Sequence, residues 1–314
     1  EYLDGENLIP FGRKVNVTLE EPNVALLDLP EVSLDGGDWE SREEVLRADN
    51  RLRKRLGWPT REESVAQPWT MKPEKPSHTV QLRFRFRCGV ELRGVKLGLE
   101  EADKARIKLD GKKVRKSPDG HYVDESIGTV PLPTLTKGTH ILVIGLPFGR
   151  KTNLEACYLL GDFGVKVRGC DITLGKPVHR LSFGDFGPQG LPFYGGNLTY
   201  HLEVRTRGKT AVLRVPRYRG ALVDVTLDGK PVGHIVYSPY ELPLQDLKPG
   251  RHRVDLRIYG TRYNTFAQLH NADDTMEWFG PNAWRTVGDA WTYEYRFKPA
   301  GILKSPEWYE MKKR

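Results

Sequence analysis

A set of carboxylates stands in the turn-rich parts of this 314-residue sequence: Glu155, Asp162, Asp185, Glu277, Asp289 and Glu294. Two carboxyl groups about 5 to 9 Å apart can divide acid and base roles across a glycosidic bond. Spacing along the chain fixes no such pair among these residues. There is no Gly-x-Ser-x-Gly elbow, no phosphate-cradling glycine loop and no His-Glu-x-x-His pair, so the usual nucleophile, phosphate and zinc-hydrolase signatures are missing. The sequence thus points to no catalytic centre of its own, and a pair of loop carboxylates is the one catalytic alternative it leaves open.

Aromatic and polar residues together give a denser signal. One stretch, 183–197, carries Phe183, Phe186, Phe193, Tyr194 and Asn197. A second, 263–291, carries Tyr263, Asn264, His270, Trp278, Trp284, Arg285, Asp289 and Trp291. Planar rings stack on the apolar faces of sugar rings, while amides, carboxylates and guanidinium groups bond hydroxyls. The expected ligand-facing set is Tyr194, Asn197, Tyr263, Asn264, His270, Trp278, Trp284, Arg285 and Asp289. The competing expectation is that these rings cap the open end of a β-sandwich.

Cys88, Cys157 and Cys170 show no metal-ligand spacing and are odd in number, so they read as small apolar thiols rather than a zinc site. A pairing of two of them stays open for an exported protein.

The net charge is +8, but 49 basic and 41 acidic residues are interspersed, which argues against nucleic acid as a partner. In 81–87 the arginines alternate with Leu82, Phe84 and Phe86, the pattern of a solvated strand face over a buried one. Mean hydropathy is −0.54, and no run of about 18 apolar residues offers a membrane span. The sequence opens on Glu1 without a secretory signal. Whether it is a piece of a longer chain stays open, as does its compartment: secreted, periplasmic or cytoplasmic.

The elements that must position these residues are mostly strands. The region 223–260 sets the pattern. Val223, Val225 and Leu227 alternate with Asp224, Thr226 and Asp228, Asp228-Gly229 is a hairpin turn that needs positive φ, and Val254, Leu256 and Ile258 alternate again after Pro249-Gly250. The same phrases occur earlier: Leu109-Asp110-Gly111-Lys112 repeats as Leu227-Asp228-Gly229-Lys230, and Gly138-Thr139-His140 is echoed by Gly250-Arg251-His252. Two matched turns in the same order predict a duplicated β module. Further strands are expected throughout, the last over 291–298. The one good helix is 41–56, with Ser41 and Glu44 as a capping box and Val45, Leu52 and Leu56 as its buried face. The predicted fold is all-β: two tandem jelly-roll sandwiches, 1–175 with a surface helix inserted at 41–56, and 176–314, joined near Gly175.

Several phrases resemble a known family. Leu-Pro-Phe-Tyr-Gly-Gly-Asn-Leu-Thr-Tyr (191–200), Leu-Asp-Gly-Lys-Pro-Val-Gly (227–233) and Leu-Lys-Pro-Gly-Arg-His (247–252) resemble the galactose-binding-like jelly rolls of bacterial β-galactosidase and β-glucuronidase enzymes. Glu155 to Gly164, Arg262-Tyr-Asn264 and Leu269-His270 resemble the non-catalytic C-terminal region of large rhamnosidase-like enzymes. The resemblance implies a carbohydrate-associated accessory region of a glycoside hydrolase. Its partners would be carbohydrate or a catalytic glycosidase domain, with no catalytic residue to carry over. Modules of this kind sometimes hold a structural calcium. No ligand set is evident from spacing here, so the expected metal and cofactor content is none. The alternatives are a stand-alone glycosidase using loop carboxylates, and a purely structural module.

Overall fold

The computed structural model describes residues 12–60, 74–115, 117–152, 154–273 and 288–310, with the main chain alone for 6–7. The expected ligand residues Trp278, Trp284 and Arg285, and the carboxylate Glu277, lie outside the described residues. The fold is an all-β sandwich type, with several mainly antiparallel sheets and two α-helices, Val45–Arg55 and Tyr263–Phe266, among the described residues.

The chain divides into two compact units that interleave in sequence. The larger is Val24–Lys176 with Ala267–Arg296, and the smaller is Glu1–Asn23, Pro177–Phe266 and Phe297–Arg314.

In the larger unit one sheet runs in the order Gly164–Arg168, Asp171–Gly175, His78–Cys88, Gly138–Phe148, Arg106–Leu109, Lys112–Lys113, with Glu31–Leu34 also pairing with His78–Cys88. The second runs Asn23–Leu27, Cys157–Gly161, Lys96–Glu100, Asp124–Pro131, His121–Tyr122. Val80, Leu82, Phe84 and Phe86 are buried with Leu142, Ile144, Ile107 and Leu109, so alternation gives the first sheet one apolar face. The second sheet is apolar on both sides where Leu97 to Leu99 and Cys157 to Leu160 pass.

The smaller unit has a six-stranded sheet in the order Arg180–Ser182, Lys14–Leu19, Leu198–Thr206, Gly250–Ile258, Val223–Leu227, Lys230–Ile235. A four-stranded sheet contains Glu307–Glu310, Ala211–Arg214 and Glu241–Leu244. Their core includes Tyr200, Leu202, Leu213, Val225, Leu256 and Ile302.

The repeated phrases occupy equivalent places in the two units. Gly138–Phe148 lies between His78–Cys88 and Arg106–Leu109, and Gly250–Ile258 lies between Leu198–Thr206 and Val223–Leu227. The registers coincide: Gly138 pairs with Cys88 and Leu142 with Leu109, while Gly250 pairs with Thr206 and Val254 with Leu227. Asp110 (φ 50°) and Gly111 (φ 77°) match Asp228 (φ 49°) and Gly229 (φ 78°), the left-handed pair that a two-residue hairpin turn requires. Each aspartate also binds the next strand. Asp110 Oδ1 accepts from Ile141 N and Oδ2 lies 2.7 Å from His140 Nδ1; Asp228 does the same with Arg253 N and His252. A third copy of this clasp, not expected from the sequence, joins Asp35 (φ 54°) to Thr79 N and His78 Nδ1.

Two elements differ from expectation. The helix begins at Val45, capped by Glu44 rather than Ser41: the Glu44 carboxylate accepts from Leu46 N and Arg47 N, and Val45 N donates to Asp28 O. Val45 and Leu52 are buried as the pattern implies, joined by Ala48, whereas Leu56 is the half-buried C-cap. The region 291–298 is not a strand. Its main chain bonds to a loop instead, Thr292 N to His270 O and Arg296 N to Leu269 O, with a single bridge between Trp291 and Asn271.

Candidate functional site

Four of the expected ligand residues gather in the smaller unit. The turn before strand Leu198–Thr206 is fixed by Asp185, whose carboxylate accepts from Gly187 N and Ala300 N. It is fixed again by Gln189, which bonds both main-chain groups of Ser182. The chain then passes Tyr194-Gly195-Gly196-Asn197 against Gly260, so closely that a Cβ on Gly260 would lie 1.9 Å from Gly195 O. Only glycine allows that approach.

The polar groups around this turn are committed to the fold. Tyr194 is buried and its hydroxyl donates to Asn197 O at 2.6 Å; burial pushes its phenol up from the usual range. Asn264, also buried, donates to Lys298 O and accepts from Lys298 N. Asn197 donates to Glu20 and accepts from Gly260 N. The cleft these residues line, with Tyr263, Arg219 and Ala300, has about 20 Å³ of room, space for little more than one water. Tyr263, 41% exposed, is the ring among them most open to solvent.

His270 and Asp289 belong to the larger unit. Asp289 is exposed in a short 3-10 turn, Gly288–Ala290. His270 is fully buried: Nε2 lies 3.1 Å from Asp28 Oδ2 and Nδ1 lies 2.9 Å from Thr292 O. Tyr295 donates to the other oxygen of Asp28 at 2.6 Å. Burial, together with the Asp28 charge, holds the Tyr295 phenol well above its usual range. Burial works against a charged His270, but the bond to Asp28 and its charge outweigh it, so the imidazole is held above its usual value. Both ring nitrogens face acceptors, the arrangement of an imidazolium. Glu44 lies in the same buried cluster. Burial and the nearby Asp28 carboxylate push its carboxyl up to about 8. This is a polar interior that ties 28, 44, 270 and 295 together, not a surface for a ligand.

Beside the helix N-terminus is an open cleft that sequence reasoning missed. It is lined by Trp39, Glu40, Ser41, Arg42, Glu43, Arg51 and Tyr293, with room for about 520 Å³, within the range of small-ligand sites. Tyr293 is 48% exposed and its hydroxyl donates to Arg42 O. The Arg83 guanidinium covers one face of Trp39 at 4.1 Å. Arg51 bridges Glu40 and Glu43, Arg55 also holds Glu40, and Arg47 also holds Glu43. The cleft therefore offers rings beside fixed, alternating charges, which is chemistry suited to a polyhydroxylated ligand. The local signal was Trp39-Glu-Ser-Arg-Glu43, an aromatic residue followed at once by paired charges. Reading Ser41 as a helix cap hid it.

A scan against protein-family models finds no match, and a search of curated proteins finds none. Solved structures with some similarity include a rhamnosidase from Novosphingobium sp. PP1Y, 15% identical over 76% of this chain and 23% of that one, TM-score 0.32. A β-D-mannosidase from Dictyoglomus thermophilum is 14% identical over 76% of this chain and 31% of that one, TM-score 0.29. An α-L-rhamnosidase from Streptomyces avermitilis complexed with L-rhamnose is 12% identical over 94% of this chain and 35% of that one, TM-score 0.27. The chain spans about a quarter to a third of the length of these proteins. At these identities and TM-scores the likenesses decide nothing about activity.

Proposed function

We propose that the chain is a non-catalytic, carbohydrate-associated β-sandwich region of a glycoside hydrolase that binds or positions a polysaccharide. The open cleft of Trp39, Arg42, Glu43 and Tyr293 carries this reading, because it sets ring faces beside fixed hydrogen-bonding charges. Tyr263 of the smaller unit, and Trp278 and Trp284 of the expected ligand set, which lie outside the described residues, are proposed as further sugar-contacting rings. The sequence phrases shared with accessory jelly rolls of bacterial glycosidases support the same reading.

The test is a glycan-array screen of the chain, paired with a hydrolysis assay on plant and bacterial polysaccharides. Binding is expected in the high-micromolar to millimolar range, since an open site desolvates few ring faces, and no hydrolysis is expected. Tyr293→Ala and Trp284→Ala should weaken binding without lowering the melting temperature. Hydrolysis lost on amide substitution of one of the loop carboxylates Glu155, Asp162, Asp185, Glu277, Asp289 or Glu294 would install the stand-alone glycosidase instead. No binding to any glycan would leave a purely structural module.

A further inference from the structure

The duplicated sheets permit a position-by-position comparison of their outer faces. With Gly138 paired to Cys88 and Gly250 paired to Thr206, Arg85 of the larger unit corresponds to Glu203 of the smaller. Leu109 and Leu227 likewise match Arg106 to Asp224, and the central strand matches Val143 to Asp255. All of these side chains lie on the side of the sheet opposite the buried alternates Phe84, Leu142 and Ile107.

The two faces differ in charge balance: the smaller unit's mixes arginines with carboxylates, Glu203 opposite Arg253 and Asp224 opposite Arg257. In the smaller unit the carboxylates engage their neighbours: Asp255 pairs with Arg253 and His201, and Asp224 pairs with His234 and takes a bond from Tyr259. In the larger unit the equivalent positions are arginine, arginine and valine. The same face adds Lys108 with Lys113 opposite it, Arg87, and Lys166 one strand beyond Thr173. Arg85, Arg87, Arg106, Lys108, Lys113 and Lys166 are all exposed. Among the described residues none of the six has an ion-pair partner. Nearby carboxylates are engaged elsewhere, Glu31 by Arg83, Asp171 by Arg42 and Asp110 by His140.

We propose that this face of the larger unit binds an anionic polysaccharide, one bearing carboxylates or sulfates along its length. The proposal rests on the carbohydrate reading above, but uses a different surface from the cleft. Neighbouring positions on a sheet repeat at about 7 Å along a strand and about 5 Å between strands, so the cations form a lattice rather than a point. Such a lattice matches a polymer whose charges recur. Guanidinium forks suit planar carboxylate and sulfate groups, and the half-buried Ile141 and Val143 between the cationic rows offer a strip for the apolar side of a sugar ring. Nucleic acid fits less well. Trp39, beside Arg83 on this face, already has one side covered by that guanidinium, which leaves little for stacking bases, and the face projects no helix or ribbon into a groove.

The experiment is affinity electrophoresis and calorimetry of the full chain against polygalacturonate, dextran sulfate, unmodified dextran, galactomannan and single-stranded and duplex DNA. Arg85→Glu/Lys108→Glu is the loss variant, Arg85→Lys/Lys108→Arg the charge-retaining control, and Arg205→Glu tests the equivalent face of the smaller unit. Polygalacturonate or dextran sulfate should bind in a salt-sensitive way. The loss variant should weaken that binding about tenfold or more, while both controls retain it. Melting curves establish that each variant is folded. Binding to neutral polysaccharides alone, unchanged in the loss variant, overturns the anionic proposal and leaves the carbohydrate reading intact. No binding to any polysaccharide overturns both. DNA bound more tightly than either acidic polysaccharide would replace the proposal with a nucleic-acid surface.

Discussion

The Nδ1 atom of His140 lies 2.7 Å from Oδ2 of Asp110, while Nε2 lies 2.8 Å from Thr136 O. His252 stands in the same relation to Asp228 and Lys248 O. In each case the aspartate closes a left-handed turn and fastens it to a strand that is distant in sequence. Asp110→Ala should destabilise the larger unit by about 1–2 kcal/mol, since it strands Nδ1 of a buried histidine and removes the acceptor for Ile141 N. Asp228→Ala should be milder, because His252 and Asp228 face solvent more openly. Urea denaturation of the two variants would show this order; equal or reversed effects would mean that the clasp does not depend on burial.

The buried Glu44 gives a pH dependence with a definite sign. Its carboxyl is raised from 4.5 to about 8, so the folded state binds a proton that the unfolded state releases. Stability from this group is fully present below about pH 4.5 and is lost as pH rises towards 8. His270, also held above its usual value, acts in the same direction as pH climbs through its folded pKa. Glu44→Gln should flatten the stability profile between about pH 5 and 8 and leave the variant more stable than the parent at pH 8.5. An unchanged slope in a pH series of thermal melts would count against this account.

The helix Val45–Arg55 is bound by both apolar and ionic contacts. Leu52 is fully buried, so Leu52→Ala should cost on the order of 2 kcal/mol or more. Arg53, 2% exposed, bonds both oxygens of Asp49 at 3.0 Å and donates to Arg150 O and Thr152 O. Arg53→Ala leaves Asp49 charged and buried and should cost about 3–5 kcal/mol. A neutral result for either variant in chemical denaturation would show the helix to be loosely attached.

Metal dependence can be checked directly. Among the described residues no group of three or more His, Cys, Asp or Glu side chains is arranged to hold an ion. The sequence spacing names no ligand set, and the expected outcome is that treatment with a chelator leaves the melting temperature unchanged. A clear fall, reversed by calcium, would reveal a structural site of oxygen ligands.

What was legible in the sequence followed from local chemistry. Asp-Gly turns need positive φ, and strands with one buried face need alternation, so the duplicated core and its register could be read from Leu109-Asp110-Gly111 and Leu227-Asp228-Gly229. The helix was legible through Val45 and Leu52, but its cap was not, because a glutamate that caps its own helix carries no distinct signature. The alternation of 291–298 misled for a related reason: Tyr295 points inward to Asp28, but its backbone pairs with a loop. His270 carried no mark of burial, since its partner Asp28 stands 242 positions away. The arginines of 83–87 were visible as a solvated face; only the register against Glu203, Asp224 and Asp255 shows that Arg85 and Arg106 stand where the smaller unit has carboxylates, and that position 143, Asp255 in the smaller unit, is valine.

The long reach between Asp28 and His270 also has a consequence for biosynthesis. At about 5–20 residues per second, translation separates the two residues by about 10–50 s. The smaller unit waits as long, since Glu20 and Glu21 bond Arg257 and Arg262, 237 and 241 positions later. Each unit must therefore leave its early carboxylates unpartnered on the nascent chain while most of the remaining polypeptide is being made, so the ion pairs that close both units form late and nearly together.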